Sequence, residues 1–164
     1  MKSFSEDVKL ARNGDTDAFA RLYAEVYKDL YHIALYSLGN VHDACDAVSD
    51  TVLDAFCSIG RLRDEKAFRS WIMRILSAKV KRRQKEKYNG SEELDESLSG
   101  DFDYGAFELK EALDNLDGQS RLILSLSVTQ GFSGREIAGI CGLSEGTVRS
   151  KLSRIKKKLR MELD

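Results

Sequence analysis

Apolar residues return at helical intervals along most of the chain. From Asp17 onward, Phe19, Leu22, Tyr23, Val26, Leu30, Ile33, Ala34 and Leu38 recur every three or four positions. That spacing predicts a long amphipathic helix ended by Gly39 and Asn40. A second helix is expected from about residue 42 to 59, burying Ala44, Ala47, Val48, Val52, Ala55, Phe56 and Ile59. A third follows the short basic stretch GRLRD at 60–64, starts near Glu65 and turns Phe68, Trp71, Ile72, Ile75 and Leu76 inward. Between Tyr88 and Gly105 the periodicity fades into Gly, Ser and acidic residues. This predicts a flexible acidic linker over 88–105, between a domain at 1–87 and a second at 106–164. Further helices are expected on Phe107, Leu109, Ala112, Leu113 and Leu116, ended by Asp117-Gly118, and on Leu122, Ile123, Leu124, Leu126 and Val128. The expected fold class is all-α, two small helical domains joined by that linker.

The most informative stretch is 131–160, GFSGREIAGICGLSEGTVRSKLSRIKKKLR. Ser133 followed three residues later by Glu136 forms a capping box, so a helix begins near Gly134 with Ile137, Ala138 and Ile140 inward. Gly142 supplies the turn, and Ser144 caps a second helix whose first turn carries Glu145. On that helix Val148, Leu152, Ile155 and Leu159 make one apolar stripe. Two helices and a tight turn of this kind are a helix-turn-helix. Its other faces carry Arg149, Lys151, Arg154, Lys156, Lys157, Lys158 and Arg160. That density of cations suits phosphates, with Thr147, Arg149, Ser150, Ser153 and Arg154 early enough to reach base edges and the later lysines nearer the backbone.

Charge changes the picture elsewhere as well. The 164 residues carry a net charge of -1, with 32% charged and 42% hydrophobic residues, which indicates globular chain rather than disorder. The cations concentrate at 79–87 and 149–160, so the near-neutral total conceals two basic patches and points to assisted DNA binding. Asp43, Asp46, Asp50 and Asp54 line one side of the second helix, which predicts a basic partner. Lys79, Lys81, Arg82, Arg83, Lys85 and Lys87 turn the third helix into a cationic stripe suited to a nucleic-acid strand, while Trp71 is expected in the core.

Residues 1–16 show neither a signal-peptide core nor a processing site, and no run reaches the length of a membrane span, so the expectation is a cytoplasmic protein without membrane contact. Cys45, Cys57 and Cys141 are expected as small buried hydrophobes in a reducing compartment. His42 and Cys45 lack a second ligand pair, so neither metal nor cofactor is expected.

Together these residues resemble the extracytoplasmic-function sigma factors, the small members of the bacterial primary-type sigma family, over about residues 17–159. The run GTVRSKL within EIAGICGLSEGTVRSKLSRIKKKLR is the most characteristic, and resembles the domain that reads the upstream (-35) promoter element. AFARLYAEVYKDLYHIALYSLGNVHDACDAVSDTVLDAF followed by FRSWIMRI resembles the domain that binds the core polymerase clamp and melts the downstream (-10) element. The resemblance implies that Asp43, Asp46 and Asp50 contact the coiled coil of the largest core subunit. It implies that Arg61, Arg63, Arg69, Lys79, Arg82 and Arg83 handle the separated strand. Thr147, Arg149, Ser150, Lys151, Ser153, Arg154 and Lys157 would read the upstream duplex. Three positions depart from the family pattern: Ser49 stands for a common glutamine, Ser77-Ala78-Lys79 lacks a frequent Arg-Asn pair, and Leu116-Asp117-Gly118 replaces Leu-Pro.

The implied partners are bacterial core RNA polymerase and promoter DNA. No regulatory extension is recognised at either end, so control is expected from expression or from a separate inhibitor, an anti-sigma factor. The alternative is an autonomous helix-turn-helix regulator, which would bind duplex as a dimer and leaves the acidic and basic helices of the first half unexplained. No catalytic residues are expected. Asp43 to Asp54 spread over about 16 Å of helix and cannot all converge on one ion, and neither a phosphate-cradling loop nor a nucleophile-base pair is present.

Overall fold

The computed structural model of the chain describes residues 3–90, 111 and 114–163, and every regular element among them is helical. Helix α1 (Phe4–Arg12) was not foreseen from the periodicity. It is short, and its start is fixed locally by a capping box in which Glu6 N–H donates to Ser3 Oγ at 3.2 Å and Ser3 N–H donates to Glu6 Oε2 at 3.3 Å. Helix α2 (Thr16–Leu38) begins at the N-cap Asp15 and ends at Gly39, whose φ of 69° lies in the left-handed region. Asn40 caps α3 (Val41–Ser58) by accepting from Asp43 N–H at 3.0 Å. Two 3-10 turns (Ile59–Arg61 and Glu65–Ala67) lead into α4 (Phe68–Gly90). That helix starts three residues later than expected, because Asp64 caps the tighter turn, and it continues through 88–90, where the linker was expected to begin.

The rest of the expected linker, and the helix expected on Phe107, Leu109, Ala112 and Leu113, lie outside the described residues. Asp117 also opens the next helix: its Oδ1 accepts from Ser120 N–H at 2.8 Å at the start of α5 (Gly118–Gln130). Helix α6 (Gly134–Cys141) opens on the Ser133–Glu136 capping box and closes on Gly142 at φ 69°, and α7 (Glu145–Leu163) follows, with Thr147 N–H donating to Ser144 Oγ at 3.1 Å. The helix-turn-helix is therefore α6 and α7.

Helices α2, α3 and α4 pack around Leu22, Val26, Leu30, Ile33, Ala47, Ile72, Met73, Leu76 and Val80, all at most 1% exposed. The same cluster continues into Leu122, Ile123, Leu126, Ile137 and Ile140, because α5 packs along α2 and α6 packs on α4. Leu116, Leu124 and Ile155 form a smaller cluster with Tyr36 and Leu159. Some expected core residues are on the surface. Phe56 is 49% exposed, resting edge-on against Phe19 at 5.2 Å, and Val128 is 67% exposed, about 200° round its helix from Leu126. Cys45 and Cys57 are exposed too, each beside the buried stripe of α3 rather than on it, and only Cys141 is buried. Burial pushes the Cys141 thiol up, partly offset by the neighbouring Ser77 hydroxyl and the Lys81 charge.

The capping box that opens the helix-turn-helix is a local device with a local cost of removal. Ser133→Ala is expected to destabilise the protein by about 1 kcal/mol in urea unfolding, leaving helix content unchanged.

Candidate nucleic-acid interface

On α7 the apolar stripe is turned inward, with Val148 and Ile155 buried and Leu152 and Leu159 partly so. This leaves Thr147, Arg149, Ser150, Ser153, Arg154 and Lys157 exposed on the outer side, and Lys151 half-buried beside them. Thr147 Oγ1 lies 2.7 Å from Ser144 Oγ, which fixes its rotamer at the start of the helix. Arg149 reaches back to Glu145 at 3.3 Å, an exposed i,i+4 pair contributing only a few tenths of a kcal/mol, so the guanidinium can leave it for a stronger acceptor. Lys151, Arg154 and Lys158 also wall a pocket of about 170 Å³ with Leu116, Asp117, Ser120 and Ile155.

The Asp117 carboxyl inside that pocket is pulled in opposite directions. Burial acts to raise it, while the Ser120 N–H and hydroxyl and the charges of Lys151 and Arg121 hold it below the usual carboxylate range. A depressed folded value contributes stability above the unfolded value, near pH 4, that is lost as pH falls through the folded value. Asp117→Asn keeps an acceptor for the helix start but no titrating group. Acid unfolding followed by circular dichroism is therefore expected to be less steep below about pH 4 in the variant.

The first half places its charges differently from what the sequence suggested. The acids of α3 and the cations of α4 face each other: Asp43 pairs with Lys87 at 3.0 Å, Asp50 and Asp46 with Arg83 at 3.1 and 3.7 Å, and Asp54 with Lys79 at 2.6 Å. These make one zipper of opposite charges along two antiparallel helices. Asp46 and Asp54 remain more than half exposed, and exposed pairs of this kind contribute about 0–1 kcal/mol each. Arg82 pairs with Glu86 along its own helix at 3.4 Å. Arg69 lies over the Phe4 ring at 4.8 Å and near Glu25 and Asp29, which ties it to α1 and α2. Arg61, the last residue of the first 3-10 turn, and Arg63, between the two turns, are by contrast exposed. Sequence reasoning missed Lys81 and Gln84 as contact residues of a second kind. Lys81 donates to the Cys141 carbonyl, and Gln84 Nε2 donates to the Ser37 and Gly118 carbonyls at 3.1 and 2.9 Å.

The chain thus joins a helical unit with its own acid-base seam to a helix-turn-helix with a cationic outer face. Residues 22–88 match the family model for sigma-70 region 2, and residues 106–159 match that for sigma-70 region 4. The RNA polymerase sigma factor SigV of Bacillus subtilis strain 168 is 32% identical over 83% of this chain and 85% of its own length. The chain belongs to the extracytoplasmic-function sigma factors.

Two solved structures share its architecture. CnrH, in complex with the cytosolic domain of CnrY, is 25% identical with a TM-score of 0.76 over 99% of this chain and 98% of that one. RpoE of Bartonella quintana, in complex with the anti-sigma factor NepR, is 25% identical with a TM-score of 0.73 over 90% and 98%. This sigma factor directs promoter recognition by RNA polymerase at the start of transcription. Among the described residues, no helix is long and apolar enough to cross a membrane.

Proposed function

We propose that this sigma factor divides its work between its two halves, residues 1–87 and 106–164, and performs no chemistry of its own in the cytoplasm. Thr147, Arg149, Ser150, Lys151, Ser153, Arg154 and Lys157 read the upstream duplex from the outer face of α7. Arg61, Arg63, Arg69, Lys79, Arg82 and Arg83 hold the separated strand after melting. Asp43, Asp46 and Asp50 receive a basic surface of core polymerase. The observation that carries this reading is α7 itself, with its stripe buried and its cations and small hydroxyl residues outward. Melting then needs no nucleotide hydrolysis, since a surface that captures unpaired bases better than paired ones shifts the duplex equilibrium. Linking two weak DNA contacts raises the effective concentration of the second once the first is made. An anti-sigma factor is a further partner, because the solved relative RpoE of Bartonella quintana is seen in complex with the anti-sigma factor NepR.

The test is reconstitution with purified bacterial core polymerase. The expected result is co-elution with core and start-site-specific RNA from promoters selected by the holoenzyme. A protein that ignores core yet protects duplex as a dimer on paired half-sites would replace this reading with that of an autonomous regulator.

A further inference from the structure

The segment between α3 and α4 is short, and its shape is held from three sides. Leu62 is 6% exposed, is extended at φ -65° and ψ 123°, and donates its N–H to the Ile59 carbonyl at 3.1 Å. Side chains flanking an extended residue point away from it, so Arg61 and Arg63 stand outward while Leu62 is anchored in the core. At the far end Asp64 caps the second 3-10 turn, its Oδ1 accepting from Lys66 N–H at 3.0 Å. The third hold comes from a distant part of the chain.

That hold is α1, which packs on both 3-10 turns. Its Arg12 carbonyl lies 3.8 Å from where a Cβ on Gly60 would stand. Its polar side chains converge on Glu65: Arg12 Nη1 donates to Oε1 at 3.4 Å, Ser5 Oγ donates to Oε2 at 3.4 Å, and Lys9 Nζ lies 3.9 Å from Oε2. Arg12 and Glu65 keep only 29% and 25% of their side chains exposed, so this pair is screened less than an open surface pair. Phe4 of the same helix meets Phe68 edge-on at 5.5 Å, which joins α1 to the start of α4 as well.

Glu65 places a negative charge two residues from Arg63. A bare carboxylate there would repel phosphates and compete with them for the neighbouring arginines. With Arg12 and Lys9 upon it, that charge is balanced inside the protein instead. A segment already held in one shape also loses less conformational freedom when a strand binds to it.

We propose that Glu65 is a positioning residue for strand capture: anchored by Arg12, Lys9 and Ser5 of α1, it sets the path of the 60–64 segment and keeps Arg61 and Arg63 free for the separated strand. The inference rests on the assignment of those two arginines made above. It gives α1, which carries none of the assigned DNA-contacting or polymerase-contacting residues, a share in holding the melted promoter.

The experiment uses the full chain assembled with purified core polymerase, and a labelled promoter fragment selected by that holoenzyme and premelted by mismatches across its downstream element. Arg12→Ala and Glu65→Ala are each expected to weaken binding of this fragment about fivefold, with affinity for core polymerase unchanged. Two further changes give a readout that simple destabilisation does not reproduce. Arg12→Lys keeps the charge and is expected to stay within about twofold of wild type. Arg12→Glu sets two acids together and is expected to lose about tenfold or more, and adding Glu65→Arg to recover most of that loss. A swapped pair that binds no better than Arg12→Glu alone would overturn the proposal, as would alanine variants that bind the fragment like wild type or lose core binding equally. Arg61→Ala combined with Arg63→Ala is measured beside them. If that variant keeps wild-type binding, the strand assignment falls and the positioning role with it; if it weakens binding while Arg12→Ala does not, the positioning role alone falls. Should Arg12→Ala lose helix content, the swapped pair set against Arg12→Glu decides the matter.

Discussion

Reversing Arg149 and Arg154 together to Glu is expected to abolish transcription from promoters that depend on an upstream element, with binding of the isolated duplex falling about 100-fold or more. Each arginine that makes a bidentate contact to a guanine contributes about 1–3 kcal/mol, and reversal replaces that attraction with repulsion from neighbouring phosphates. Both side chains project from the outer face of α7, away from the buried Val148 and Ile155, so the fold has little to lose. Arg149 gives up its pair with Glu145 and meets a like charge instead, a penalty of a few tenths of a kcal/mol. Thermal unfolding and co-elution with core polymerase should therefore stay at wild-type values. The slope of log affinity against log salt is expected to become shallower by about 0.9 for each phosphate that the variant no longer neutralises. Equal loss of core binding and DNA binding would show instead that the double variant fails to fold.

Much of this architecture is legible in the chain because its signals are local. The Ser133–Glu136 capping box, Gly142 and Ser144 mark both helices of the helix-turn-helix to within a residue, and the Val148-to-Leu159 stripe identifies its buried side. Gly39 and Asn40 end one helix and begin another for the same reason. What the periodicity could not carry was the pairing of faces. Asp43, Asp46, Asp50 and Asp54 read as a surface awaiting an external cation, and Lys79, Arg83 and Lys87 as one awaiting an external anion. Both sets run at three- and four-residue steps, and antiparallel helices bring 43 opposite 87 and 54 opposite 79. The matching order was in the sequence, but it becomes a contact only once the loop at 60–64 returns α4 along α3. Gln84 gave no signal at all, since a glutamine among lysines is unremarkable until the Gly118 carbonyl of a distant segment lies 2.9 Å away. Helix α1 was missed because nine residues offer too few turns for a period, and its capping box was the available sign.

The pairing of α3 with α4 sharpens the second large prediction, Asp46→Arg, which is expected to lower affinity for core polymerase about 100-fold and to remove the protein from the core-containing fraction in gel filtration. Asp46 is suited to a partner because its internal bond is weak. It lies 3.7 Å from Arg83 with 58% of its side chain exposed, whereas Asp50 lies closer at 3.1 Å. Giving up the longer pair costs about 0–1 kcal/mol, while a desolvated charge pair across an interface can be coupled by about 1.5–7 kcal/mol. Two companion variants separate an interface contact from a merely internal one. Asp46→Asn deletes the pair with Arg83 without creating repulsion, and should weaken core binding much less than the reversal. Arg83→Ala deletes the same pair from the other side and leaves both acids free, so core binding should persist even as transcription falls through loss of a strand contact. If Asp46→Asn and Arg83→Ala impair core binding as severely as Asp46→Arg, the acid serves the α3–α4 seam alone. If only the reversal does so, the exposed carboxylate faces a cation on the polymerase, and the α3–α4 zipper is a set of weak bonds that core binding exchanges for stronger ones.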